Sequence, residues 1–458
     1  KQIYPKPGWV EHDPEEIWTT THNLLSNLLN KHSSKTISCI GITNQRETAV
    51  VWNNKTHRPI YNAIVWQDRR TMDICNDLIS KGYSNLIKDK TGLVIDSYFS
   101  ATKIKWIFDN IDGSYSSAQN GDIYFGTIDT WLLWKLTNGK EHKTDFTNAS
   151  RTLIFNIDTK QWDKELLELI KIPKSILPKV CNSSHLFGYT DKTIFKENIP
   201  ITGIAGDQQS ALFGQFGFNS GDLKTTYGTG CFMLLNTGNK RINSNHGSLT
   251  TLACDFNGKP IYALEGSVFI GGAVIQWIRD ELGLINNAKE TESIANSINS
   301  TNGVYIVPAF TGLGAPHWDM EARGLITGLT RGSNKNHIIR ASLESIAYQV
   351  NDLLLSLQKD INFDIIDMKV DGGASNNNFL MQFQSCLLNI EITRPKNIET
   401  TALGAAILAG LNLKIWDNEN ELVKFQKVDR KFHSRINNIE RKKMLSKWNK
   451  AIAKTKEK

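Results

Sequence analysis

The six cysteines of this 458-residue chain, Cys39, Cys75, Cys181, Cys231, Cys254 and Cys386, form no C-x-x-C pair and have no histidine-rich neighbours. That absence excludes a disulfide scaffold and a zinc site, and it points to reduced thiols and a cytoplasmic location. No apolar run approaches the roughly 18–20 residues of a membrane span; the longest, residues 402–411, is far shorter, so no membrane insertion is expected. A dominant charge is lacking as well. Lys and Arg number 53 against 46 Asp and Glu, a net +7, too small a surplus to predict a nucleic-acid partner. The commonest nucleotide signatures are also missing. There is no G-x-x-x-x-G-K-[ST] and no complete G-x-G-x-x-G, which removes most support for a P-loop enzyme or a Rossmann dehydrogenase.

What is present is an α/β pattern of a length suited to two domains. Asp13 followed by Pro14, Glu15 and Glu16 predicts a helix start, and the helix reaches about Leu29. Residues 36–42 read as a buried strand. Residues 123–127 read as a loop leading into a helix over 128–136, and residues 201–206 as a strand ending in Asp207, Gln208 and Gln209. After about residue 215 the pattern begins again. Residues 223–235 have the form of two strands around Gly228-Thr229-Gly230, strands are expected near 304–308 and 366–370, and a helix over 337–355. The basic end, from Arg441 through Lys454, carries Ile439, Met444, Leu445, Trp448 and Ile452 near helical spacing, as a final helix packed on the body would. The division expected is 1–214 and 215–458, with a cleft between.

Four constellations carry chemistry. The Gly-Thr-Gly turn can aim backbone N–H groups and a hydroxyl at phosphate oxygens, although such a turn also serves structure alone. Val370-Asp371-Gly372-Gly373, followed by Asn376 and Asn377, is a strand running into paired glycines and a helix start, where a flat ligand can approach the backbone. Asp207 at a strand end suits a general base for an attacking hydroxyl, or equally a cap for the next helix. Arg46 and Glu47 follow another strand end, the edge where α/β proteins usually bind ligands.

Residues 98–110 (Y-F-S-A-T-K-I-K-W-I-F-D-N), and residues 324–329 (G-L-I-T-G-L) continued by 337–344, resemble the two signatures of the FGGY carbohydrate kinases. Residues 41–48 (G-I-T-N-Q-R-E-T), 61–67, 206–209 and 227–232 are similar to that family's glycerol-phosphorylating branch, and the likeness covers essentially the whole chain. The resemblance implies two actin-like (ribonuclease H-like) domains with the active site in the cleft between them. It also implies transfer of the ATP γ-phosphoryl group to glycerol, giving sn-glycerol 3-phosphate. By matching motif positions it implies polyol contacts from Arg46, Glu47, Trp66, Tyr98, Asp207, Gln208 and Phe232. Asp207 would be the catalytic base and would hold Mg²⁺ through water. Thr229, Gly230, Gly272, Gln276, Gly373 and Asn377 would contact ATP or ADP. Homo-oligomers, dimeric or tetrameric, are implied too.

Two departures from the family pattern stand out. The chain starts at Lys1, where members have already passed a strand–turn–strand with an Asp-x-Gly-Thr phosphate loop. Such an element needs roughly 30–40 residues, and the expectation is that it precedes Lys1 in the natural protein. Residues 192–198 lack the Gly-Gly and Arg of a fructose 1,6-bisphosphate loop, so that regulation is not expected. The alternatives are another FGGY kinase acting on xylulose, ribulose or gluconate, and a non-catalytic scaffold that keeps the fold.

Overall fold

The structure is a computed structural model and describes residues 1–32 and 36–456. Helix α1 (Pro14–Lys31) starts where the sequence predicts. The Asp13 carboxylate accepts the Glu15 N–H, and Pro14 fills a position whose N–H would have no helical partner. Strand β1 is Ile40–Asn44 and not 36–42. Its partner begins only at Pro200, so the ladder opens at Ile40 opposite Ile201 and residues 37–39 fall outside it.

Helix α2 (Ser100–Asn110) follows, carrying the first signature. Residues 123–126, expected as a loop, form a strand (Ile123–Gly126) antiparallel to Val50–Asn53. Its buried Ile123 and Phe125 alternate with Tyr124, the period-two pattern of a half-buried strand. Strand β2 (Ser184–Tyr189) pairs antiparallel with β3 (Pro200–Gly206), and β3 runs parallel to β1 in the order β2-β3-β1. Helix α3 (Asp207–Gly214) begins at once after β3.

The second half repeats this theme on a larger sheet. Strands β4 (Leu223–Tyr227) and β5 (Cys231–Gly238) make the expected hairpin, followed by β6 (Leu249–Cys254) and β7 (Pro260–Val268). Helices α4 (Ala273–Asp280) and α5 (Lys335–Asp360) lead to β8 (Asp367–Asp371) and β9 (Glu391–Pro395). After helix α6 (Thr400–Asn412) come β10 (Val428–Phe432) and α7 (Asn438–Lys456). The sheet has seven strands in the order β6-β7-β5-β4-β8-β9-β10, with β8 parallel to both β4 and β9. Helix α7 docks through Trp448, whose ring stacks on Tyr348 at 5.0 Å and whose Nε1 donates to Asp352 at 2.7 Å. Ile439, expected on the same stripe, is exposed. Nine residues are two and a half turns at ~3.6 residues per turn, which places it opposite Trp448.

Packing crosses the boundary expected at 214/215. Helix α6, late in the chain, lies on β1, β3 and α3, and glycines permit the close approach. A Cβ on Gly404 would sit 1.9 Å from the Ser210 carbonyl oxygen, and one on Gly41 2.2 Å from that of Ala405. Ser210 Oγ donates to the Thr401 carbonyl at 2.7 Å and Thr202 Oγ1 to that of Ala409 at 3.0 Å, securing the contact. Among the described residues no helix is long and apolar enough to cross a membrane.

Gly404→Ala therefore forces α6 away from α3. We expect a loss of about 1–3 kcal/mol in urea unfolding, seen as a lower midpoint at unchanged slope. Gly373→Ala, where an added Cβ meets nothing within 4 Å, should stay within about 0.5 kcal/mol.

Candidate active site

The parallel register sets Gly206 of β3 opposite Asn44 of β1, so the residues that follow each strand emerge side by side at one edge. Arg46 Nε reaches Asp207 Oδ1 at 3.3 Å. The Arg46 stem lies across Gly206, where a Cβ would come within 2.6 Å of it. Glu47 has a positive φ of 60°, a sparsely populated conformation for a residue with a side chain and one that surrounding contacts must hold. Ser100 Oγ donates to its carbonyl at 3.0 Å, and Arg151 Nε to its carboxylate at 2.6 Å.

Beneath this edge lies a buried charge network. Arg46 forks onto Glu265, with Nη1 to Oε2 at 2.6 Å and Nη2 to Oε1 at 2.8 Å. Arg151 Nη2 donates to the same Glu265 Oε1 at 2.9 Å, and Arg46 Nη1 also to Gln209 Oε1 at 3.1 Å. Glu265 sits on β7, opposite Leu234 of β5 and Leu249 of β6, so this fork ties the first half of the chain to the second. Burial raises the Glu265 carboxyl, but Arg151 and Arg46 outweigh it and hold the group down at about 2. Glu47 and Asp207 go the other way. Burial raises both, against Arg46 and Arg151 for Glu47 and against Arg46 and Lys224 for Asp207. Lys224 adds a third buried cation, facing Asp371 as well as Asp207 and Glu265.

Aromatic rings close the site. Trp66 meets Tyr98 edge-on at 5.8 Å and Phe232 at 5.8 Å. Tyr98 is buried beside Glu47, Arg46 and Arg151; burial, and then Glu47, push its phenol up. Its backbone is fixed by Asp96, which accepts the Tyr98 N–H at 2.7 Å, and by Lys103 Nζ, which donates to the Tyr98 carbonyl at 2.5 Å. The Asp207 side chain keeps 33% exposure. Gln208 is buried, its amide engaged by Lys224 and Asp207. The sequence-predicted polyol set is thus brought together, with Gln208 beneath the others.

The predicted nucleotide residues surround a separate cavity of about 750 Å³. Thr229, Gly272, Gln276, Gly373 and Asn377 line it, joined by Tyr227, Leu343 and Ile346. Gly230 turns away from it, since its Cβ would point at the Val268 carbonyl. The turn is docked on the start of α4, whose Gly272 and Ala273 N–H groups donate to the carbonyls of Gly228 and Thr229. Gly372, at φ +83°, leaves no room for a side chain against Tyr227, whereas at Gly373 an added Cβ would project into open space. Asn377 caps the helix Asn378–Leu388 by accepting the Leu380 N–H at 3.0 Å, and its amide donates to Thr291. Strand β4 connects the two regions. Lys224 lies under Asp207, while Gly228 lines the cavity four residues on, roughly 13 Å away along a strand.

Among the described residues no cluster of three His, Cys, Asp or Glu could hold a metal alone. The one partly exposed carboxylate at the site, Asp207, suits a Mg²⁺ that keeps most of its waters and is brought in by phosphates. Sequence reasoning missed Arg151, Glu265 and Lys224. The signal for two of them was available: Glu265 is a lone acid in Tyr262-Ala263-Leu264-Glu265-Gly266, and Lys224 follows Leu223 in a strand. An ionisable residue placed in an apolar strand needs a buried partner.

Residues 1–214 match the FGGY family of carbohydrate kinases, N-terminal domain, and residues 223–413 match its C-terminal domain. The glycerol kinase of Caldanaerobacter subterraneus subsp. tengcongensis is 57% identical over 454 residues, covering 99% of this chain and 91% of that protein. A glycerol kinase of Clostridium botulinum is 56% identical over 455 residues with the same coverage. Plasmodium falciparum glycerol kinase with ADP superposes with a TM-score of 0.91 at 42% identity, over 100% of this chain and 92% of that one. The xylulose kinase of Lactobacillus acidophilus, at 24% identity and a TM-score of 0.85 over 98% and 89%, is alike in fold alone.

Glu265→Leu should leave two buried guanidinium groups without their shared carboxylate. We expect a stability loss of about 3–5 kcal/mol by chemical unfolding. The Glu265 contribution follows from a carboxyl held near 2 when folded and titrating near 4.5 when unfolded. It is fully present above 4.5 and lost as pH falls towards 2, so the gap between wild type and variant should narrow over that window.

Proposed function

The chain belongs to the FGGY family of carbohydrate kinases, and from that premise we propose that it phosphorylates glycerol with ATP to give sn-glycerol 3-phosphate, with Asp207 as general base. The observation that carries this reading is the convergence of Arg46, Glu47, Tyr98 and Asp207 under the rings of Trp66 and Phe232. A triol presents hydroxyls that both donate and accept. It therefore needs carboxylate acceptors and cationic or phenolic donors held rigidly, with apolar surface over its carbons. The glycerol kinase relatives support the same substrate.

Phosphoryl transfer passes through a loose transition state, so most of the work is alignment and charge neutralisation. Arg46 and Glu47 fix one end of the polyol. Asp207 receives the proton of the terminal hydroxyl as that oxygen attacks phosphorus in line. Its carboxyl is raised by burial, which makes it a better proton acceptor than an exposed aspartate. Thr229 and the adjacent backbone are placed to hold the β- and γ-phosphates, with Gly373 admitting the nucleoside. Mg²⁺ bound with the nucleotide would neutralise phosphate charge, with Asp207 facing its water shell. We place the enzyme in the cytoplasm, a reading supported by six unpaired cysteines.

Asp207→Asn should lower kcat at least about 10²-fold while ATP binding stays largely intact. Near-wild-type turnover in a coupled ADP assay would refute the base assignment. In the same assay glycerol should far exceed xylulose, ribulose and gluconate, and preference for any of those three would overturn the substrate.

A further inference from the structure

Lys224 is wholly buried, yet it lies beneath the proposed base. Its Nζ donates to Gln208 Oε1 at 2.6 Å and to Thr226 Oγ1 at 2.8 Å. Gln208 in turn donates its amide Nε2 to Asp207 Oδ2 at 3.1 Å, and its backbone N–H donates to Asp207 Oδ1 at 2.8 Å. The chemistry of this chain runs in one direction. An ammonium has three donors and no acceptor, and a carboxylate accepts only. A side-chain amide between them satisfies both ends in a single orientation, with its oxygen towards Lys224 and its NH₂ towards Asp207. Flipped, it would set N–H groups against an ammonium and an oxygen against a carboxylate, two repulsive contacts in a buried setting.

We propose that Lys224 is a positioning residue for phosphoryl transfer: it locks the Gln208 amide so that the Asp207 carboxylate is held in one rotamer facing the acceptor hydroxyl. The proposal rests on Asp207 being the base. Asp207 starts α3, a helix of only eight residues, and its side chain is a third exposed. Arg46 at 3.3 Å and the Gln208 backbone N–H at 2.8 Å both hold Oδ1; the Gln208 side-chain amide holds Oδ2. Without that amide the carboxylate can pivot on Oδ1, and a near-attack geometry tolerates little misplacement. Lys224 is itself placed by alternation on β4, where it and Thr226 share one face, with Thr226 paired to Phe232. The charged groups that face it are Asp371, Asp207 and Glu265, which favour its ammonium form, and Arg46, which opposes it. Burial draws the group down to about 8, so it stays mainly charged at neutral pH.

The test uses Lys224→Met, which keeps the stem and removes all donors, beside Lys224→Gln, whose amide can still donate to Gln208 Oε1. We expect Lys224→Met to lower kcat at least about tenfold with the KM for ATP within about twofold, and Lys224→Gln to recover most of the loss. Gln208→Leu alone should match Lys224→Met, and the double variant should be no worse than either single one, because the two act as a unit. Unchanged kcat in Lys224→Met overturns the proposal, as does equal impairment of Lys224→Met and Lys224→Gln, which would assign the effect to charge and not to amide orientation. If Lys224→Met does not fold, Gln208→Leu decides: a loss of kcat of about tenfold with the KM for glycerol within about twofold supports the proposal, whereas wild-type turnover, or a loss carried mainly by that KM as for a polyol contact, overturns it. Asp207→Asn measured alongside separates the two claims. An active Asp207→Asn removes the base assignment, whereas an inactive one beside a fully active Lys224→Met removes only the tether.

Discussion

The buried fork between Arg46 and Glu265 is the contact on which the rest of the site depends. Two charges taken out of water are unfavourable unless geometry and additional hydrogen bonds compensate. Here Glu265 receives both guanidinium groups and Ser267 Oγ at 3.2 Å. Because Glu265 belongs to the large sheet and Arg46 to the edge of the small one, the pair fixes how the two halves meet. Glu47 is then held through Arg151, and Asp207 through Arg46. Arg46 and Glu47 are thus held by Glu265 and Arg151, which lie outside the proposed polyol set, and their precision comes from burial.

The nucleotide side is built by different means. Its cavity combines glycines and apolar residues such as Ile275, Leu343 and Ile346 with polar and charged ones such as Gln276, Arg279, Lys289 and Asn377. Strand β4 joins the two regions: Lys224 at one end lies under Asp207, and the turn at the other borders the cavity. A shift of this strand would disturb both substrates together.

Much of this was legible in the sequence. The cap at Asp13, the hairpin around Gly228-Thr229-Gly230 and the strand before Asp207 each have a local cause, a side-chain cap, a turn residue or an apolar run. The two-domain α/β kinase fold was legible through long motifs in order. Boundaries set by partners were not. Strand β1 starts where Pro200 lets its ladder start, and residues 123–126 become a strand because Val50–Asn53 lies beside them. The same holds for the site: Arg46 and Glu47 stand next to each other in sequence, yet each finds its strongest partner far away, in Glu265 and Arg151. Local order reveals which residues are charged, not which charges meet.

The central claim is that a clamped Arg46 and a tethered Asp207 present glycerol to ATP. A crystal structure of the protein with glycerol and a non-hydrolysable ATP analogue tests it most directly. The account predicts a terminal glycerol hydroxyl within about 2.6–3.2 Å of the Asp207 carboxylate, Arg46 still forked on Glu265, and the nucleotide in the cavity bordered by Thr229 and Gly373. Glycerol bound away from Asp207, or Arg46 released from Glu265 to reach it, would contradict the account.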